Sequence, residues 1–554
     1  MKNWVVIGIL FLAFFLRVVD LQNHPAGFTP DEASFGWDSY SILRTGKDQW
    51  GQYFPLSLRS FGDFKLPLYS YLDIPFVALF GLNEVAVRLP NALIGSLAVL
   101  ITYLLVKELL KREDVAFLAA FLLATSPWHV PLSRGAFEAN LTTFFLPLGI
   151  LLFIKGLKKE RFLPLAALIF GVNLFSYHSA RFVTPFVLLF LILFYRKKLR
   201  FKKETKKAFL ILGIFISLAF YTQLIGSSRI SSSGIFNPTG GWGSVVQERY
   251  SATLAGLPDF FSRLFNNKVV YFLETFFHNY LSYLSPQFLF TEGPKETTYG
   301  MLPGMGVLYF IELPFIICFV VNLARKPSKE VLLILLWILI GIVPAALTKG
   351  PGHAANRAAF VMPAIQIVSA LGGVSLYDFI LRKIVVNKRL IFSFFAIFYF
   401  ISFCFFFEKY WFGQPVKGGA GMIYGTRELF SYLSKVQSFY SQIIVSKSIS
   451  EPHIYTAFFN KIPANIYQEQ SKKWLIYEDL GIDWVDQLPS YSLTKYTFTS
   501  IDYLSQKSIE GVLFVGKPSD FPSDLKPDYV VKYLDRTDAF WVVDPATQYW
   551  AVLP

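Results

Sequence analysis

Apolar runs recur along most of this chain, and short clusters of lysine and arginine separate them. A run of about 20 residues crosses the hydrocarbon core of a bilayer as a helix, because a helix satisfies its own backbone polar groups where water is absent. About eleven runs qualify. They cover residues 4–21, 88–106, 115–132, 139–155, 162–178, 181–195, 208–226, 303–323, 331–348, 357–380 and 389–407. Composition agrees. Hydrophobic residues make up 54% of the 554, charged ones only 16%, and mean hydropathy is +0.45, outside the range of soluble domains. The first run resembles a signal-peptide core. It has only Lys2 at its positive end and no small-x-small cleavage site, so it reads as an uncleaved helix. Only Ser179 and Ala180 separate the fifth and sixth runs, which predicts a tight helical hairpin. Residues 67–81 are apolar but short and broken by Asp73 and Pro75, and read as a helix lying on the membrane.

The net charge of +14 would suit nucleic acid if it were spread along a groove. Instead the basic residues fall in Lys107–Arg112, Lys155–Arg161, Arg196–Lys207, Arg325–Lys329 and Arg382–Arg389, after every second span. That pattern marks cytoplasmic turns and excludes nucleic acid as the partner. It predicts a cytoplasmic N-terminus. Loops 22–87, 133–138, 179–180, 227–302 and 349–356, and the tail after 408, then lie outside. Cys318 and Cys404 both sit in apolar runs, which argues against a disulfide framework or a thiolate metal site.

After about residue 408 the apolar stretches shorten and polar residues return. Gln442–Ser448, Trp474–Tyr477 and Gly511–Val515 read as strands, and Thr426–Val436 as a helix behind Gly425. The alternation predicts a small extracytoplasmic α/β domain over 408–554, following a transmembrane domain over 1–407.

Several outward connections carry chemistry-bearing residues. The first loop begins Phe-Thr-Pro-Asp-Glu, with Asp31 and Glu32 adjacent. Thr29 as cap, Pro30 at the first position and acids in the first turn make a helix start, so capping alone accounts for both carboxylates. A helix N-terminus also keeps a carboxylate ionised and able to act as a base, so the catalytic reading stands beside it. Lys65 lies among aromatics before the interfacial helix. His129, Arg134 and Glu138 fall in one short outer connection, where Arg134 and Glu138 have the spacing of a local helical ion pair. His178 and Arg181 sit at the hairpin tip, and His353 and Arg357 beyond the ninth span. Each arginine alone would suit a snorkelling side chain. Together they point to a polar cavity on the outer face. No phosphate-cradling glycine loop, His-rich metal motif or nucleophile elbow is present, so a substrate here must arrive already activated. Asp31, Glu32 and Asp38 are too few oxygen donors to indicate a divalent metal, and no cofactor is implied.

The Asp31-Glu32 pair in a long first loop, the Lys65-Leu-Pro-Leu-Tyr-Ser-Tyr-Leu stretch, Arg88-Leu-Pro-Asn-Ala-Leu, and Ser126-Pro-Trp-His with Ser133-Arg and Glu138 together resemble the polyprenyl-phosphate-dependent glycosyltransferases of the GT-C superfamily. These include the protein O-mannosyltransferases and the aminoarabinose transferases of lipid A. The resemblance runs over roughly residues 1–370 and is most specific in the first 140. It implies a polytopic α-helical membrane enzyme that moves a sugar from a polyprenyl-phosphate donor to an extracytoplasmic glycan, lipid or protein, inside a lipid bilayer. It implies Asp31 as catalytic carboxylate with Glu32 beside it. Lys65, His129, Arg134, Glu138, His178, Arg181, His353 and Arg357 become candidates for holding the donor's phosphate and sugar. One base without a covalent nucleophile predicts inversion. Two other readings predict different behaviour. A transporter of lipid-linked sugars would share the basic cavity, but paired repeats with broken helices are absent. In a non-catalytic envelope-assembly protein the acids would only cap.

Overall fold

The computed structural model describes residues 2–200, 202–225, 235, 238–324, 327–348, 355–383, 387–508 and 510–550. His353 lies outside the described residues. Helices α1 (Lys2–Val18), α2 (Pro30–Thr45), α3 (Leu68–Phe80), α4 (Glu84–Leu110) and α5 (Glu113–Ala124) open the chain. Each of the apolar runs overlaps a helix. Six of these helices, among the described residues, are long and apolar enough to cross a membrane: Glu84–Leu110, Glu138–Gly156, Lys203–Leu224, Lys329–Ala346, Ala364–Lys383 and Lys388–Gly418. Others are shorter, such as Trp4–Val18, Phe162–Asn173 and Phe310–Leu323. Proline inside a helix removes an intrahelical hydrogen bond, and several of these helices carry one, including Pro90, Pro147, Pro185 and Pro344.

The Lys/Arg-rich turns gather at one end of the bundle. Lys158 pairs with Glu108 at 2.6 Å, and Lys202 with Glu160 at 3.0 Å. The Tyr195 hydroxyl donates to Glu330 at 3.1 Å. These contacts tie four of the five basic connections together.

The opposite end holds the first loop and the tail. Six strands form one sheet: β3 (Gln442–Ser446), β4 (Ser490–Leu493), β5 (Tyr496–Thr499), β6 (Val512–Gly516), β7 (Tyr529–Lys532) and β8 (Asp538–Val543), after a small ribbon of β1 (Leu58–Arg59) and β2 (Phe64–Lys65). The order is β4-β5-β3-β6-β8-β7. The central β3 runs parallel to β5 and β6, and the outer pairs are antiparallel. The apolar stretches that begin at Gln442 and just after Gly511 are thus strands. Thr426–Val436 is a helix behind Gly425, whose φ of 98° suits glycine.

Trp474–Tyr477, predicted as a strand, is helical instead. Trp474 ends the helix Ala464–Trp474, and Tyr477 lies in the next one, Ile476–Asp479. Tyr467, Gln468, Ser471 and Trp474 are buried at helical spacing. That longer period overrides the short apolar run.

The tail has a core of its own around Ile444, Tyr503, Phe514 and Val543 and shares a second one with the first loop. One hydrophobic cluster joins Phe28, Phe35, Trp37, Phe61 and Tyr69 of the first loop to Phe430, Tyr455, Phe458, Tyr467 and Trp474 of the tail. Gly36 marks the closest approach. A Cβ there would lie 2.4 Å from Val87 of α4 and 2.9 Å from Phe458. The Tyr455 hydroxyl donates to the Phe28 carbonyl at 2.6 Å, and Gln468 donates to Ser41 and Thr45 on α2.

Candidate active site

The site is built around the start of α2. Thr29 caps the helix, Pro30 takes the first turn, and the capping box closes between Thr29 and Glu32. This turns adjacent carboxylates in opposite directions. Glu32 is fully buried. It accepts from Arg88 Nε at 2.8 Å, from the Ala136 backbone N–H at 3.0 Å and from the Thr29 backbone N–H at 3.0 Å. Arg88 is equally buried and also donates to the carbonyls of Leu21 and Pro25. Glu32 is thus the knot that ties α2, α4 and the outer connection at 136. All its lone pairs are committed.

Asp31 faces outward and is about a third exposed. Its Oδ1 lies 2.7 Å from the ammonium of Lys65, which is 2% exposed. Lys65 sits on β2, over the rings of Phe61 and Phe35 at 4.8 and 5.0 Å. The lysine therefore reaches the carboxylate from an aromatic floor that excludes water, which strengthens the pair. His178 closes one side, its Nε2 being 2.9 Å from the Phe64 carbonyl. The hairpin tip is thereby set against the Lys65 ribbon.

Behind Lys65, Asp38 and Asp48 form a buried carboxylate pair. Asp38 accepts from the Gln49 backbone at 3.0 Å, and Asp48 from the backbones of Trp50 and Gln52. Burial, and for Asp38 the neighbouring Asp48, push both above the usual carboxylate range.

The remaining candidates are dispersed. Arg134 is completely buried, and its guanidinium donates to the carbonyls of Leu16, Val19, Asp20 and His24. These carbonyls lie at and just beyond the C-terminal end of α1, where helix carbonyls lack intrahelical partners. His129 is also fully buried, held between Arg17 at 2.7 Å and Thr143 at 2.9 Å. Glu138 begins the turn Glu138–Leu141 and is half-buried near Tyr69. Arg181 donates to Gln223 and Thr222, and Arg357 to Thr348. Sequence reasoning passed over Arg17 and Glu451. Arg17 sat unremarked near the end of an apolar run, and Glu451 in a polar stretch with no motif around it. Among the described residues no group of three or more His, Cys, Asp or Glu side chains could hold a metal ion.

Residues 65–225 match the family model of the dolichyl-phosphate-mannose-protein mannosyltransferases. No curated protein matches the chain significantly by sequence. Among solved structures, the chain superposes on ArnT from Cupriavidus metallidurans bound to undecaprenyl phosphate. The TM-score is 0.53 at 13% identity, over 98% of both chains. The apo form of the same protein gives 0.53 at 12%. The oligosaccharyltransferase AglB from Archaeoglobus fulgidus, in complex with an inhibitory peptide and a dolichol-phosphate, gives 0.45 at 14%, over 93% of this chain and 69% of that one. The GT-C resemblance, read over roughly residues 1–370 and most specific in the first 140, is borne out: residues 65–225 match the family model of the mannosyltransferases, and the chain has the multi-pass membrane fold of ArnT.

Proposed function

We propose that this protein is an inverting glycosyltransferase that moves a sugar from a polyprenyl phosphate to an acceptor on the outer face of the membrane. The observation that supports it best is the Asp31–Lys65 pair: an accessible carboxylate 2.7 Å from a water-shielded ammonium. Asp31 removes the proton from the acceptor hydroxyl. That oxygen bonds to the anomeric carbon from one face while the carbon–oxygen bond to the phosphate breaks on the other. The bonding electron pair leaves with the lipid phosphate, and Lys65 neutralises the charge that develops there. Glu32 holds the first turn of α2 so that Asp31 keeps its aim. The basic turns at the far end face the cytoplasm, and the tail covers the outer side. ArnT, which shares the fold, was crystallised with undecaprenyl phosphate. This fits a lipid phosphate as the donor's carrier.

The anomeric configuration of the product tests this reading. Proton NMR of the transferred sugar should show the configuration opposite to the donor's. Retention would require a covalent glycosyl–enzyme step and would overturn the single-base assignment.

A further inference from the structure

The tail reaches into the Asp31–Lys65 site. The Val485 backbone N–H donates to the Phe61 carbonyl at 2.9 Å. Gly62 is so close to the tail that a Cβ would lie 2.0 Å from the Asp483 carbonyl oxygen. The ring of His453 meets Phe61 edge-on at 5.4 Å, and Phe61 is the ring beneath the Lys65 ammonium. Two residues before His453, Glu451 precedes the helix Pro452–Asn460 in a left-handed conformation, φ 46° and ψ 55°. Residues other than glycine seldom adopt it, and such conformations concentrate at functional sites. Its backbone N–H is held by Asp486 at 2.8 Å, and one carboxylate oxygen accepts from Ser450. The charges of Asp31 and Lys65 are both felt at its carboxyl, which burial, Asp486 and Asp31 together push up to about 7.

We propose that Glu451 is a sugar-recognising residue of the active site, supplied by the tail, which hydrogen-bonds a hydroxyl of the donor's sugar while Lys65 holds the phosphate. This rests on the assignment of Asp31 and Lys65 above. A carboxyl group both accepts from and, when protonated, donates to a hydroxyl. On this proposal a sugar linked to a phosphate on Lys65 lies within reach of both Asp31 and Glu451. The tail is then part of the catalytic site and sets which sugar is accepted.

The test uses the full chain in lipid nanodiscs and compares bare undecaprenyl phosphate with undecaprenyl phosphates carrying mannose, glucose, galactose or aminoarabinose. The wild type should bind at least one loaded lipid more tightly than the bare one. Glu451→Ala should weaken binding of that lipid about 10-fold or more, the scale of one hydrogen bond to a charged group, and Glu451→Gln, which keeps an acceptor and a donor, should weaken it less. Binding of bare undecaprenyl phosphate should stay within about threefold, which also shows that the variants fold. Equal weakening for both lipids, or none for either, overturns the role of Glu451. The underlying reading fails differently: Lys65→Met would leave bare-lipid binding intact. A wild type that prefers no loaded lipid over the bare one overturns the role of Glu451 alone.

Discussion

Two neighbouring carboxylates do different work here, and the difference is set by what each one touches. Asp31 pairs with Lys65 and stays about a third exposed; Glu32 has a guanidinium and backbone donors and no solvent. Breaking a buried pair by removing one partner leaves the other charge uncompensated, at a cost of about 3–5 kcal/mol. Glu32→Ala should therefore lower the thermal unfolding temperature sharply in detergent, and Asp31→Ala should lower it less, because Asp31 is about a third exposed whereas both members of the Glu32–Arg88 pair are fully buried. Similar losses for both would show that Glu32 does not tie the first loop down. The sequence made the helix start at Thr29 legible, because a cap and its acids are local. It could not separate the two acids, because the deciding partners, Arg88 and the Ala136 backbone, lie far along the chain. Arg134 and His129 were misleading for a related reason. Arg134 donates to backbone carbonyls, and His129 Nδ1 accepts from the distant Arg17, and neither contact leaves a mark in sequence.

At the scale of elements, α2 is the piece on which the outer face is assembled. It packs on α3 and α4 from the membrane side and on the helices Pro452–Asn460 and Ala464–Trp474 from the tail side. Gly36 lets α4 and the tail both approach it. Gly36→Val would place a branched side chain against Val87 and Phe458 at once, and overpacking of this kind costs about 1–3 kcal/mol. Limited proteolysis should then cut between 408 and 440 faster than in the wild type. An unchanged digestion pattern would show that the contact can relax. The spans were legible as apolar runs, yet several of the helices are shorter than a bilayer crossing. Trp474–Tyr477 looked like a strand only because four apolar residues cannot reveal a period; the buried face one turn and two turns earlier decides it.

Over the whole molecule, charge sorts the two ends. Lysine- and arginine-rich turns meet at one end, while the Asp31–Lys65 pair, the hairpin tip at His178 and the tail meet at the other. This bipolar arrangement was legible in the spacing of the basic clusters. The sharing of one core between first loop and tail was not, since it depends on docking between segments some 400 residues apart. It also makes the site composite: the floor beneath Lys65 is braced by tail residues 453 and 485. We propose Asp31 as the base of a lipid-phosphate glycosyl transfer. The most direct measurement is release of undecaprenyl phosphate from its radiolabelled glycosyl derivatives by purified wild type and Asp31→Asn, in liposomes supplemented with cell-envelope extract as the acceptor source. The account predicts a loss of at least about 100-fold in turnover for Asp31→Asn, with unfolding temperature and undecaprenyl phosphate binding preserved. Turnover within a few-fold of wild type in that variant would contradict it.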